Sequence, residues 1–426
     1  MKYKEYKGLD YAKTGKEILK YWKEEQIFEK SISSREGQPS FTFYEGPPSA
    51  NGTPGIHHVM ARAVKDIFCR YKTLKGFQVK RKGGWDTHGL PVELQVEKEL
   101  DITKEDIGKK ISVEEYNQRC RETVMKFKDQ WDDLTERMGY WVDLDDPYVT
   151  FEREYIESLW SILKELYDQG LLYKGYTIQP YSPAAGTGLS SHELNQPGTY
   201  RDVKDTTITA QFKKKGAENE YFLAWTTTPW TLAANTALAV GEKIDYVKVE
   251  TYNAYTFEKS FVILAKDRLS AYFNPKHAEA QIEEYQAGDK VVPFRVVEEF
   301  KGKDLVGWDY EQLLPYVKPD GPAFKVIAGD FVTTEDGTGI VHISPTFGAD
   351  DYRVAKQAGI GAILVKDEEG HNVPIVDKRG RYVKEITDFA GIYVKNEYYS
   401  EADVPDKSLE VYIAIKLKEE NKAFIV

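Results

Sequence analysis

The sequence predicts an α/β protein: a doubly wound, mostly parallel sheet in the first half, then a separate strand-rich domain. Three observations carry the prediction. Residues 41–82 read as strand, Gly/Pro turn, helix and strand, the signature of a βαβ unit. Long helical patterns continue to about residue 170. From about residue 200 the pattern changes to short β-rich runs separated by turn residues.

Taken in order, residues 11–28 space Ile18, Leu19, Tyr21 and Trp22 for one face of an amphipathic helix. Phe41 to Tyr44 reads as a buried strand running into turns at Gly46-Pro47-Pro48 and Asn51-Gly52. From His58 to Leu74, the residues Met60, Val64, Ile67, Phe68, Tyr71 and Leu74 recur at helical spacing, and Gly76 stops the helix. The next strand covers 77–82. Ser112 and Glu115 form a capping box that opens a long helix to about Met138, and another helix runs from about Phe151 to Gln169 before Gly170. In the second half, strands are predicted over 206–212, 220–225, 237–240, 246–251, 260–265, 290–294, 324–326 and 339–344, with Asp336-Gly337 as a hairpin-like turn. Helices are expected at about 350–357 and 408–420. The domains predicted are an N-terminal helical segment (1–40), a sheet domain (41–195) and a strand-rich domain with its closing helix (196–426).

The 426 residues are 41% hydrophobic and 30% charged, with a mean hydropathy of −0.55. Several cores can form at this length without disulfides or metals. Cys69 and Cys120 are the only cysteines, which excludes a disulfide-rich scaffold and any Cys-x-x-Cys zinc site. The charged N-terminus has no apolar signal region, and no run approaches the ~18 apolar residues of a membrane span, so a cytoplasmic protein without a membrane partner is expected. A net charge of −11 argues against coating nucleic acid by bulk charge. The basic clusters at 80–82, 213–215 and 378–381 read as solvated surface.

Two constellations carry chemistry. In the first, a strand ends at Tyr44, the Gly/Pro turn exposes backbone, and a helix N-terminus follows with His57 and His58. Ligands of open parallel sheets sit beyond the carboxyl ends of strands, where a helix N-terminus offers free N–H groups to phosphate. The next strand ends in a second loop, Gly84-Trp85-Asp86-Thr87-His88-Gly89, whose carboxylate suits an ammonium group. Either loop alone is an ordinary βα turn. Together, at adjacent strand ends, they point to a ligand site.

In the second constellation, the run from Trp225 to Asn235 places consecutive threonine hydroxyls near one turn fixed by Pro229. The run from Gly339 to Tyr352 delivers His342 on a strand and puts Asp350 and Asp351 at a helix start. Threonines favour strands and an acid at a helix start caps free N–H groups, so each feature alone has a structural account. Asp350 keeps that account.

The text GPPSANG (46–52), the His-containing segment after it, GWDTHGLPVE (84–93) and GYWVDLDDPYVT (139–150) resemble class I aminoacyl-tRNA synthetases of the isoleucine/valine/leucine group, and GPPSANG in particular the isoleucyl-tRNA synthetases. The resemblance spans essentially the whole chain. It implies the first half of a Rossmann-like catalytic domain, with an inserted α+β or β-barrel editing domain. It implies that Gly46, Pro47 and Asp86 bind isoleucine, with Asp86 on the α-ammonium, while Trp85 and His88 support the loop. The isoleucine carboxylate would attack the α-phosphate of ATP bound with Mg, a step that needs positioning and charge stabilisation rather than a base.

The ATP-binding His-x-Gly-His motif falls on 55–58, but Gly55 and His57 stand exchanged, followed by His58. His57 should crowd the adenine unless Gly55 provides the room. In the family this exchange accompanies resistance to mupirocin.

The Thr-Thr-Thr-Pro-Trp-Thr run (226–231) resembles the family's editing domain, which hydrolyses Val-tRNA(Ile). The resemblance implies that Asp351 binds the α-ammonium of misattached valine. Thr227, Thr228 and Asn235 would contact the ester, its water or the terminal adenosine, while Thr231 and His342 would shape a pocket that excludes isoleucine. Such a second site is needed because one methylene is worth only about 1–3 kcal/mol in an apolar pocket, a magnitude established on this enzyme family. Relatives carry cysteines near 179–188, some binding zinc. None occurs here, and His192, Glu193 and His277 make no complete ligand set, so no metal is expected.

The partners implied are the acceptor end of tRNA(Ile), isoleucine, ATP and, as misactivated substrate, valine, for a monomeric enzyme. The family's Lys-Met-Ser-Lys-Ser loop does not occur, so the expectation is an N-terminal portion lacking full synthetic activity. A free-standing Val-tRNA deacylase and an inactive tRNA- or inhibitor-binding module are the alternatives.

Overall fold

The structure, a computed structural model, describes Gly8 and residues 10–426; residues 1–7 and 9 of the expected N-terminal segment lie outside it. The chain divides into two compact units, one ending at Gly175 and one spanning Tyr176–Val426.

The first unit opens with α1 (Tyr11–Glu24), whose N-cap Asp10 accepts from the Lys13 amide, and α2 (Ile27–Ser33). The single helix expected over 11–28 is broken because Gln26 adopts a left-handed φ of 49°. Then come β1 (Ser40–Tyr44), α3 (Ile56–Leu74), β2 (Gln78–Trp85), α4 (Leu90–Leu100), α5 (Val113–Val124), α6 (Lys128–Arg137), β3 (Asp143–Val149) and α7 (Arg153–Asp168). The strands form a parallel sheet in the order β1-β2-β3, with Ser40 opposite Gln78. α3 is therefore the crossover of a βαβ unit.

Four expectations are corrected here. β3 was not foreseen: its three aspartates and Pro147 suit an edge strand and mask the β signal. β1 is not buried, alternating instead between exposed and half-buried positions. The long helix from Ser112 is two helices, parted at Met125–Phe127, where the Phe127 amide leaves the helical ladder for the Ala50 carbonyl at 2.9 Å. Finally, Arg81 in the first basic cluster is not solvated: it is 2% exposed and donates to Thr73 Oγ1 at 2.9 Å and the Trp141 carbonyl at 3.2 Å.

α3 has the predicted periodicity, but its apolar stripe lies open. Met60, Val64, Ile67, Phe68, Tyr71 and Leu74 are exposed, whereas Arg62, Cys69 and Thr73 are buried.

The second unit is built on two sheets. Six strands run in the order Arg295–Lys301, Asp245–Tyr252, Lys259–Ala265, Glu220–Thr226, Ile208–Lys213, Ala423–Ile425, and three in the order Lys325–Ala328, Ala237–Val240, Ile340–Ile343. One core holds Phe212, Phe222, Leu238, Ile263 and Ile340 together with Ile413 and Leu417 of the helix Leu409–Glu419. That helix is the expected closing one, capped by Ser408. The strand expected at 290–294 starts later, at Arg295. Asp336-Gly337 does not turn a hairpin: the strands flanking it both pair with Ala237–Val240 rather than with each other.

Candidate active sites

In the first unit a cavity of about 370 Å³ opens where β1 runs into α3, lined by Gly46, Pro47, His58, Lys65 and Trp131 among others. The turn is held from every side. Glu45, 3% exposed, donates its N–H to the Lys82 carbonyl at 2.9 Å, and its carbonyl accepts from the Tyr148 hydroxyl. Its carboxylate accepts from Lys65 Nζ on one oxygen and from the Tyr140 hydroxyl on the other. Burial, then the hydrogen bond to Glu45, raises the Tyr140 pKa, so the phenol stays a donor. Beneath the loop, Trp131 Nε1 donates to the Gly52 carbonyl at 2.8 Å, and Arg62 lies over the Trp131 ring while donating to Thr135 Oγ1 at 2.6 Å.

Gly55 is the N-cap of α3, and its N–H donates to His58 Nδ1 at 2.9 Å. Burial, then His57 and Arg62, lower the His58 pKa, so the ring is neutral near pH 7 and carries its proton on Nε2. The His57 and His58 rings lie 3.8 Å apart. His57 folds back over Gly55, where a Cβ would fall 2.8 Å from His57 Cε1, so a side chain at position 55 would collide with the imidazole. Asp86 is tied to the turn through its N–H to the Pro48 carbonyl at 3.0 Å. Its carboxylate is exposed, outside the cavity lining, and accepts from the His88 amide at 3.3 Å. Gly55 and His57 likewise stand beside the cavity rather than on its wall.

The second unit holds a cavity of about 400 Å³ that gathers Thr227, Thr228, Thr231, His342 and Asp351. A chain of hydroxyls crosses it: Thr226 Oγ1 to Thr228 Oγ1 at 3.3 Å, and Thr228 Oγ1 to Thr231 Oγ1 at 3.3 Å. Thr231 Oγ1 donates to the Thr228 carbonyl at 2.8 Å and sits 3.0 Å from His342 Nε2. With the threonine proton committed, His342 donates from Nε2, which leaves Nδ1 unprotonated. That nitrogen is buried and has no partner. Burial pushes the His342 pKa down to about 4, so the ring is neutral at physiological pH.

Asp351 sits in the first turn of the helix Ala349–Gln357, folded over Gly348, where a Cβ would fall 2.6 Å from its Cγ. One oxygen accepts from the Ser344 amide at 2.8 Å. Burial raises its pKa, partly offset by that bond, and among the described residues no cation pairs with it. Its neighbour Asp350 faces outward and pairs with Arg353 at 3.2 Å.

Asn235 does not line the cavity. It is 2% exposed, donates to the Ala237 carbonyl at 2.9 Å and accepts from the Tyr310 hydroxyl at 2.6 Å. Thr226 and Ser344 line the cavity without having been singled out, although both lie inside the two runs that drew attention. Among the described residues one group suits a metal, Asp367, Glu369 and His371 on an exposed turn. Asp367 there already accepts from the backbone of Glu369 and His371.

Residues 17–397 match the family model for tRNA synthetases class I (I, L, M and V). The chain belongs to that family. Similar relatives within it are proteins named isoleucine–tRNA ligase. That of Cytophaga hutchinsonii is 66% identical, over 100% of this chain and 40% of its own length. That of Bacteroides fragilis is 61% identical over 99% and 39%, and that of Clostridium tetani 43% identical over 93% and 37%. The chain thus spans about 40% of the length of these class I synthetases. A solved structure titled as the CP1 of GlLeuRS aligns with 52% of the chain and 98% of its own at 16% identity and a TM-score of 0.30, too low a likeness to carry an argument. Within the class I frame, the two cavities fall on the two constellations read from the residues.

Proposed function

We propose that the second unit hydrolyses Val-tRNA(Ile), as the editing part of an isoleucine–tRNA ligase whose isoleucine and ATP corner lies in the first unit. The carrying observation is the cavity floor: a half-buried carboxylate with no cation of its own, facing a fixed row of threonine hydroxyls and a neutral histidine. An aminoacyl ester brings the missing cation as its α-ammonium. Asp351 seats it, and Thr227 and Thr228 orient the ester and a water. The water oxygen bonds to the ester carbonyl carbon and the ester C–O bond breaks. The proton passes to the ribose oxygen, releasing valine and free tRNA. Thr231 and His342, bonded to each other, form a rigid wall against the larger isoleucine side chain. Asp351, once paired to an ammonium, is a poor proton shuttle, so the water is positioned rather than deprotonated beforehand.

In the first unit, Gly46, Pro47 and Asp86 belong to isoleucine, and Gly55, His57 and His58 to ATP. Here the α3 N-terminus and the neutral His58 suit a phosphate-bearing ligand. ATP would bring Mg with it as substrate, since Glu45, the carboxylate of this corner, is already engaged by Lys65 and Tyr140. Residues 41–195 are read as the first half of a Rossmann-like catalytic domain and 196–426 as an inserted, barrel-like editing domain. The tRNA(Ile) acceptor end is its macromolecular partner, and a monomer in the cytoplasm its form.

The test is deacylation. The folded chain should hydrolyse Val-tRNA(Ile) and spare Ile-tRNA(Ile), and Asp351→Ala should abolish the activity with the circular dichroism spectrum unchanged. A folded wild-type chain that leaves Val-tRNA(Ile) intact overturns the reading.

A further inference from the structure

The loop between the strands Lys325–Ala328 and Ile340–Ile343 forms part of the second cavity's wall through Thr333, Asp336 and Gly337, and the first two are exposed. Its two ends are held differently. The later end is locked to the sheet: Thr338 Oγ1 donates to the Leu223 carbonyl at 2.6 Å, the Thr338 carbonyl accepts from the Ala265 amide at 2.8 Å, and the Gly339 carbonyl accepts from the Tyr246 hydroxyl at 2.7 Å. The turn before it, 335–337, has no such ladder. Among the described residues, the side chain that bonds to its main chain is Arg268, whose Nε donates to the Gly337 carbonyl at 2.8 Å and whose Nη1 donates to the Glu335 carbonyl at 2.9 Å. Beside it, Asp267 accepts from Thr334 Oγ1 at 3.5 Å. Arg268 ends the short helical turn Lys266–Arg268, directly after the strand Lys259–Ala265, so the fork is mounted on the strand end that also holds Thr338. On the cavity side, Gly337 has a left-handed φ of 62°, and a Cβ on it would fall 3.3 Å from Trp225 Cε3. The turn therefore packs against Trp225, which is half-buried on the same wall.

We propose that Arg268 is a positioning residue of this cavity: its guanidinium fork fixes the turn 335–337 against Trp225 and so pre-forms the wall that the nucleoside end of the substrate meets. The inference rests on the editing reading above. In that reading Asp351, Thr231 and His342 take the valyl group and Thr227 and Thr228 the ester, which leaves the turn and Trp225 to the nucleoside that carries them. Holding two carbonyls at once takes two N–H donors fixed in one plane. A guanidinium supplies them, whereas a lysine ammonium is a point charge on a flexible stem. Without the fork the substrate has to order the turn as it binds, a cost drawn from binding rather than from the hydrolytic step.

The test is steady-state deacylation of Val-tRNA(Ile) by the full chain, run below the melting temperature of every variant. Arg268→Ala should raise KM about three- to tenfold with kcat held within about twofold. Arg268→Lys, which keeps the charge and loses the fork, should raise KM as much. Calorimetric titration of the non-hydrolysable 2′-(L-valyl)amino-2′-deoxyadenosine, which carries no phosphate, should show the same weakening in both variants. If Arg268→Lys restores the wild-type KM, or if both variants bind the probe as wild type does, the side chain acts as a charge on tRNA phosphate and the assignment is overturned. A lower kcat or melting temperature at unchanged KM makes the fork a structural support only and also overturns it. In either case hydrolysis by the wild-type chain leaves the editing reading standing, whereas a folded wild-type chain that neither hydrolyses Val-tRNA(Ile) nor binds the probe overturns both.

Discussion

Glu45 is the clamp on the first cavity, and its replacement should loosen the turn that carries Gly46 and Pro47. The carboxylate is 3% exposed and accepts from Lys65 Nζ and the Tyr140 hydroxyl. A hydrogen bond to a charged group contributes about 1.5–3 kcal/mol, and a buried acceptor left unsatisfied costs about 1–3 kcal/mol. Lys65 is 32% exposed and can return to water, so its half of the pair counts at the low end. Glu45→Gln should therefore destabilise the first unit by about 2–3 kcal/mol, and Tyr140→Phe by about 1–2 kcal/mol. Both act on one carboxylate, so the double variant should fall short of the sum by about 1 kcal/mol. Urea unfolding followed by tryptophan fluorescence reads this, since Trp85 and Trp131 report on the first unit and Trp225 and Trp308 on the second. The transition of the second unit should not move. Single variants within about 0.5 kcal/mol of wild type, or fully additive effects, would refute the clamp.

Two further outcomes follow from the second unit. Burial raises the Asp351 pKa, so the folded state holds its proton to higher pH than the unfolded state, and this group's stabilisation is lost as pH rises through the folded value. Asp351→Asn should then be more stable than wild type at pH 7, with the gap closing on acidification. Thermal melts of the pair from pH 7 to pH 4 check it, and a gap that widens in acid sinks the idea. Asn235→Ala strands the Tyr310 hydroxyl and the Ala237 carbonyl in the core, which should cost about 2–4 kcal/mol. In deacylation assays below its lowered melting temperature, the variant should keep its KM for Val-tRNA(Ile); a raised KM would put Asn235 back among substrate contacts.

Local signals carried the parts of the fold that local chemistry decides. The α3 periodicity, the Ser112 cap, the Gly170 stop and the strand at 237–240 lie where the residues put them. What failed depends on distant partners. Whether the α3 stripe is covered cannot be read from its spacing, and in this unit the buried positions are instead Arg62, Cys69 and Thr73. The break at Met125–Phe127 exists because Ala50, far away in sequence, offers a carbonyl to Phe127. The same holds for the sites. The threonine run and the His342/Asp351 segment were visible as unusual text, and they do meet. Asn235 belongs to the same run, yet its amide is spent on Tyr310 and Ala237. Ser344 lay in plain view, but the bond of its amide to Asp351 joins residues that only the folded loop brings together.

The two cavities treat buried charge in opposite ways, and the contrast separates architecture from recognition. A buried ion removed from water is tolerable only when something repays its desolvation. Glu45 is repaid inside the protein, by Lys65 and Tyr140, and so holds a turn rather than a ligand. Asp351 is repaid only by backbone amides, that of Ser344 and its own, its pKa stays raised, and the charge that acts on it is another acid, Asp350. A structural role would be served as well by asparagine, without the electrostatic cost. The charge at that floor makes sense when the counter-ion arrives with the substrate, and the α-ammonium of an aminoacyl ester is a cation of the right kind.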